Sequence, residues 1–112
     1  MKEIKAYVRT DRVNDIIQAL EKAGVNGMTL IDVMAVGANI DPQNYKFSMS
    51  LVERYQKIAK LEIICRDADA DRYVDIIREN GTTHSKGDGL ITVSDVERLV
   101  KVRNGAEGEE VL

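Results

Sequence analysis

One unit is written twice along this chain. In the first half an alternating run, Ile4, Ala6 and Val8, leads into Arg-Thr-Asp-Arg, then Val13-x-Asp15-Ile16-Ile17 and Gly24. In the second half another apolar run leads into Arg66-Asp67, then Val74-Asp75-Ile76-Ile77 and Gly81. A period of two passing into a period near 3.6 is a strand passing into a helix. The chain is therefore a doubled β-α-β unit, and few folds accept one.

The elements follow from local pattern. Residues 2 to 9 form strand one, with Lys5, Tyr7 and Arg9 on its wet side. Val13, Ile16, Ile17 and Leu20 recur at helical spacing, with Thr10 or Asp11 as a cap and Gly24 as the stop. Residues 28 to 36 are nearly all apolar and read as a buried strand two that ends at Gly37. Strand three covers Lys60 to Cys65. Helix two covers Asp69 to Asn80, with Tyr73, Val74, Ile76 and Ile77 inward and Gly81 closing it. Strand four covers Leu90 to Val93, and Leu99 to Arg103 adds a short fifth. Two such units make an α+β, ferredoxin-like βαββαβ sandwich, a four-stranded antiparallel sheet with both helices on one face. Because Ile31, Val33 and Ala35 oppose Leu30, Met34 and Val36, strand two is apolar on both sides, and oligomerisation is expected to cover it. Ala38 to Lys57 shows neither period and contains the chain's proline, Pro42. It reads as a loop of about 20 residues, a length usually functional or disordered. Gly105 to Leu112 reads as a frayed acidic end.

Composition narrows function by exclusion. At 112 residues and 44% apolar content, the chain is expected to be a single domain over residues 1–112 with one modest core. A net charge of -3 argues against nucleic acid. No apolar run approaches the ~18 residues of a membrane span, and the opening residues lack a signal peptide's apolar stretch. A cytoplasmic location is expected. One cysteine and one histidine give neither an internal disulfide nor a two-histidine metal site in one chain. Cys65 reads as a small packed hydrophobe. His84 reads as a solvated or phosphate-contacting imidazole, with a metal site only where copies converge in a trimer. Glu62 and Asp88 have no nucleophile or base paired with them, so no catalysis is expected.

Two stretches bear on ligands. Thr82-Thr83-His84-Ser85-Lys86-Gly87-Asp88-Gly89 combines small hydroxyl residues with glycines, which suits a phosphate but also suits a turn entering a strand. Lys101 and Arg103 at alternate positions of a strand would leave one face ~7 Å apart. Such a pair either clamps a diphosphate or decorates a solvated edge.

Gly27-Met28-Thr29, Gly37, Lys60-x-Glu62-Ile63, Asp75-x-Ile77, Gly87-Asp88-Gly89 and Lys101-Val102-Arg103-x-Gly105 together resemble the PII signal-transduction proteins, in register from residue 1 to 105. The resemblance implies a homotrimer with adenine nucleotide in clefts between subunits. It also implies a flexible T-loop over residues 38–57 that grips a membrane transporter or a metabolic enzyme. Carried over by position, Thr29, Gly37, Ala38, Gly87, Asp88, Gly89 and Leu90 would line the nucleotide, with Ile64 beside the base. Lys101 and Arg103 would reach its phosphates from the neighbouring subunit. Under the resemblance that pair takes the ligand role.

Departures from the family pattern matter equally. Leu90 replaces a basic residue, Asn39 a glutamine and Ile58 a lysine, the groups that serve the γ-phosphate, magnesium and 2-oxoglutarate. Losing such a cation removes about tenfold to a hundredfold in affinity, which implies ADP or AMP over ATP unless Lys57 takes the place of the lysine. No tyrosine stands where the family is uridylylated, and Ser48 or Ser50 is the phosphorylation candidate. Tyr45, Phe47, Met49 and Leu51 are candidates for the partner-binding loop, the last three either anchoring a partner or ordering the loop as a strand. Together these features resemble a side branch that regulates inorganic-carbon or other anion transport, with bicarbonate as a second ligand. The rival readings are a standard nitrogen regulator, a trimeric ferredoxin-like metal-binding or small enzymatic protein, and a purely structural trimer.

Overall fold

A computed structural model describes residues 1–36 and 55–112. Strand β1 (Lys2–Arg9) passes through one 3-10 turn (Thr10–Arg12) into helix α1 (Val13–Lys22). Then come β2 (Thr29–Val36), β3 (Tyr55–Cys65), helix α2 (Asp67–Gly81) and β4 (Gly89–Asp95). The strands lie in the order β2-β3-β1-β4 with every neighbouring pair antiparallel. This is the doubled βαβ sandwich that the repeat predicts.

The alternation of β1 sets the core. Ile4, Ala6 and Val8 pair with Ile63, Leu61 and Ala59 of β3, and all six are buried beneath the helices. Ile16 and Leu20 of α1 and Tyr73 and Ile77 of α2 cover them. Ile4, Ile16, Leu20, Leu61 and Ile77 are fully buried, each such side chain contributing about 1.5–3 kcal/mol on leaving water.

The edges are different. On β2, Leu30, Ile31, Met34 and Val36 are exposed, as are Leu90 and Val93 on β4. An outer strand that the helices do not reach leaves both its faces wet, so both edges of the lone chain carry apolar surface. Among the described residues, no helix is long and apolar enough to cross a membrane.

Several boundaries depart from expectation, each for a local reason. β3 begins at Tyr55 rather than Lys60, because pairing with β2 extends it to the Val36–Tyr55 register. Neither Thr10 nor Asp11 caps α1; both belong to the preceding 3-10 turn, and no side chain caps the helix. Gly24 does stop α1, in the left-handed region at φ +100°. Gly81 lies instead within the last turn of α2, where a Cβ would meet Ile16 Cδ1 at 3.2 Å, so its role is close helix packing. The expected fifth strand is not formed: Leu99–Arg103 enters a hairpin turn with one bridge, Val100 to Glu107. The acidic end folds back on that hairpin, with the Gly108 amide donating to the Leu99 carbonyl at 3.1 Å and a 3-10 turn at Glu109–Val111.

Candidate functional site

A cavity of about 810 Å³ opens where β2 begins and β3 ends. The turn Gly24–Met28 after α1 forms one wall, the first turns of α2 another, and the folded-back C-terminal segment a third. Thr29, Ile64 and Lys101 all line it. Glu62, opposite Thr29 in the β2–β3 register, also lines it and pairs with Lys60 at 3.1 Å. That hydrogen bond raises the Lys60 ammonium above its ordinary range.

Lys101 and Arg103 stand on a turn rather than alternating along a strand. The Gly105 amide donates to the Lys101 carbonyl at 2.8 Å, and the Lys101 amide donates to the Ala106 carbonyl at 2.8 Å. Gly105 at φ +72° permits the reversal, and Asn104 Oδ1 accepts from the Ala106 amide at 3.0 Å. The aligned strand geometry is absent: Lys101 lines the cavity, and Arg103 stands two residues further on in the turn, outside that lining.

The second cluster, residues 82–89, curls around the Asp88 carboxylate. Asp88 accepts from the Thr83 amide at 2.8 Å, the Thr83 hydroxyl at 2.5 Å, the Thr82 hydroxyl at 3.2 Å and the Ser85 amide at 3.3 Å. Arg9 Nε donates to the same carboxylate at 2.8 Å, and Arg12 Nη2 donates to the Thr82 carbonyl at 3.0 Å. Burial pushes the Asp88 carboxyl up, but the bonds from Thr83, Arg9 and Ser85 outweigh it and hold it well below the usual carboxylate range. His84 at φ +59°, Gly87 at +92° and Gly89 at +106° give the curl its tight radius.

Thr29, Ile64 and Lys101 therefore come together in one cavity, whereas Gly87, Asp88, Gly89 and Leu90 lie at the start of β4. β2 and β4 are opposite edges of the sheet, three strand spacings or about 14 Å apart. Gly37 and Ala38, and the loop residues Tyr45, Phe47, Met49 and Leu51, lie outside the described residues. Ile58 is buried in β3 between Arg9 and Val33, while Lys57 is exposed on the other face of the strand. For Lys57 to replace the missing lysine, β3 would have to slip by one residue and turn its whole core set outward. Among the described residues no three His, Cys, Asp or Glu side chains converge on a metal position.

Sequence reasoning missed Arg9. Alternation places it on the wet side, yet it is 5% exposed, because its partner Asp88 lies 79 positions along the chain. It also missed the Gly24–Met28 wall, apart from Gly27 and Met28 as part of a motif.

The fold defines the class: a small ferredoxin-like α+β domain, here with a cavity at one sheet edge and a glycine-bearing loop at the other. Residues 1–106 match the family model for the nitrogen regulatory protein P-II. A nitrogen regulatory protein P-II from Pasteurella multocida is 32% identical over the full length of both chains. A nitrogen regulatory protein P-II 1 from Methanothermobacter thermautotrophicus is 34% identical over all of this chain and 97% of its own. One from Porphyra purpurea is 36% identical over 92% of each. The chain belongs to the P-II family of signal-transduction proteins, a family of regulators rather than enzymes.

Proposed function

We propose that this protein acts as a homotrimeric adenine-nucleotide sensor, with each site shared between two copies. The carrying observation is the division of the candidate residues. Thr29 on β2 and Gly87 and Gly89 at the β4 end stand about 14 Å apart with β3 and β1 between them. Within one chain a ligand would have to lie across the whole sheet, whereas the two sets stand side by side where one copy's β2 edge meets another's β4 edge. The exposed Leu30, Met34 and Val93 on those two edges supply apolar surface for that meeting. In this reading Thr29 and Ile64 hold the base, and Gly87 to Leu90, with Gly37 and Ala38, lie along the nucleotide. Lys101 and Arg103 neutralise phosphate charge.

ADP or AMP is the favoured effector. Leu90 is 73% exposed where the family places a cation, so a third phosphate meets an apolar side chain there. Occupancy biases the segment 38–57, whose Tyr45, Phe47, Met49 and Leu51 engage a membrane transporter or a metabolic enzyme in the cytoplasm. The loss of the triphosphate features supports a place in inorganic-carbon control, with bicarbonate as the second ligand, over the standard nitrogen role. Calorimetric titration with AMP, ADP and ATP, with and without magnesium, 2-oxoglutarate and bicarbonate, tests the reading. Micromolar ADP binding with weaker ATP is the expected result. Tightening of ATP by 2-oxoglutarate would return the protein to the standard nitrogen role, and no heat with any adenylate would refute the nucleotide reading.

A further inference from the structure

The position of Arg9 and its surroundings disagree. Register puts it on the same face of β1 as Lys5 and Tyr7, where no helix packs, yet it is 5% exposed. Its guanidinium leaves the strand end and enters the 82–89 curl, where Nε donates to Asp88 Oδ1 at 2.8 Å and Nη2 donates to the Lys86 carbonyl at 2.8 Å. Asp88 meanwhile gathers the Thr82 and Thr83 hydroxyls and the Thr83 and Ser85 amides. The Asp88 carboxylate therefore faces the chain's own donors rather than an incoming phosphate, which its charge would repel. One planar fork thus bridges a side-chain acceptor and a backbone acceptor two residues apart, a geometry that a single ammonium does not reproduce.

We propose that Arg9 is a positioning residue for the ligand's phosphates, acting through Asp88 and the Lys86 carbonyl to set the curve that carries Gly87 and Gly89. The inference rests on the nucleotide reading above. Asp88 then serves the site from behind, and the groups that approach the phosphates are the glycine backbone and the cations. A loop held in advance avoids the ordering cost that a slack glycine loop incurs on binding.

The test compares ADP with adenosine, which lacks the phosphates, on the full chain. Calorimetry reads ADP, and NMR shift titration reads the weaker adenosine. Arg9→Gln is expected to weaken ADP about tenfold or more while adenosine stays within about twofold. Arg9→Lys, which returns the charge without the fork, is expected to recover ADP only in part, to a level between Arg9→Gln and wild type. Thr83→Val, at an exposed position, removes one Asp88 donor and is expected to weaken ADP about threefold with adenosine unchanged, which keeps the test available if Arg9→Gln fails to fold. Equal losses for ADP and adenosine would make Arg9 merely structural, and unchanged ADP binding in both Arg9→Gln and Thr83→Val would overturn the proposal. Wild-type protein that binds adenosine but gains nothing from ADP's phosphates overturns the proposal alone. Wild-type protein that binds neither overturns the nucleotide reading and takes this inference with it.

Discussion

A Cβ on Gly89 would lie 1.6 Å from the carbonyl oxygen of Tyr7, inside the β1–β4 pairing. The glycine also sits at φ +106°, where an L side chain is strained whatever the space. Gly89→Ala must therefore move backbone, not a side chain. We expect a loss of about 3 kcal/mol or more in denaturant titrations, with the β4 edge the first part to loosen.

The Asp88 carboxyl lies below its ordinary value of 3.8, so its contribution to stability is fully present above that pH and disappears as pH falls through the folded-state value. Wild-type protein should lose stability on acidification past 3.8. Asp88→Asn should cost about 3 kcal/mol near neutral pH, since the buried Arg9 loses this counter-charge, and should flatten the acid loss. Urea titrations of both proteins across the acid range measure both effects.

Gly81 and Ile16 should prove coupled. Alanine at 81 improves helix propensity, but its Cβ meets Ile16 Cδ1 at 3.2 Å and Ile16 is fully buried. Gly81→Ala alone should cost about 1 kcal/mol. In an Ile16→Val background, which removes that methyl, the same change should be neutral or stabilising; a double-mutant cycle reads the difference.

Leu90→Lys should tighten ATP about tenfold to a hundredfold while leaving AMP nearly unchanged. The side chain is exposed, so the fold should tolerate the change. Paired calorimetric titrations of ATP and AMP provide the measurement.

The fold was legible because burial and local period agree. Ile4, Ala6 and Val8 alternate and are buried, and Ile16, Leu20, Tyr73 and Ile77 fall at helical spacing and face the sheet. Where a residue's environment depends on a distant partner, local pattern misleads. Arg9 reads as wet because its counter-ion comes from the loop before β4. Lys101 and Arg103 read as a strand because alternation is blind to the turn that Asn104 and Gly105 impose. The acidic end reads as frayed by composition, while the Gly108 amide's bond to the Leu99 carbonyl and the Val100–Glu107 bridge fold it back. Of the candidate site, the glycine loop and the cavity residues could each be found in the sequence. Their placement on opposite edges could not, because strand order is a property of the assembled sheet.

Subunit mixing tests the shared site most directly. Thr29→Trp blocks the cavity and Gly87→Asp sets an anion at the loop where the phosphates lie, and each variant alone should bind no ADP. Unfolded together and refolded, the two should form trimers in which about a quarter of the interfaces join an intact cavity to an intact loop, so about a quarter of the wild-type ADP capacity returns at wild-type affinity. A mixture that recovers no capacity would show that each site lies within a single chain.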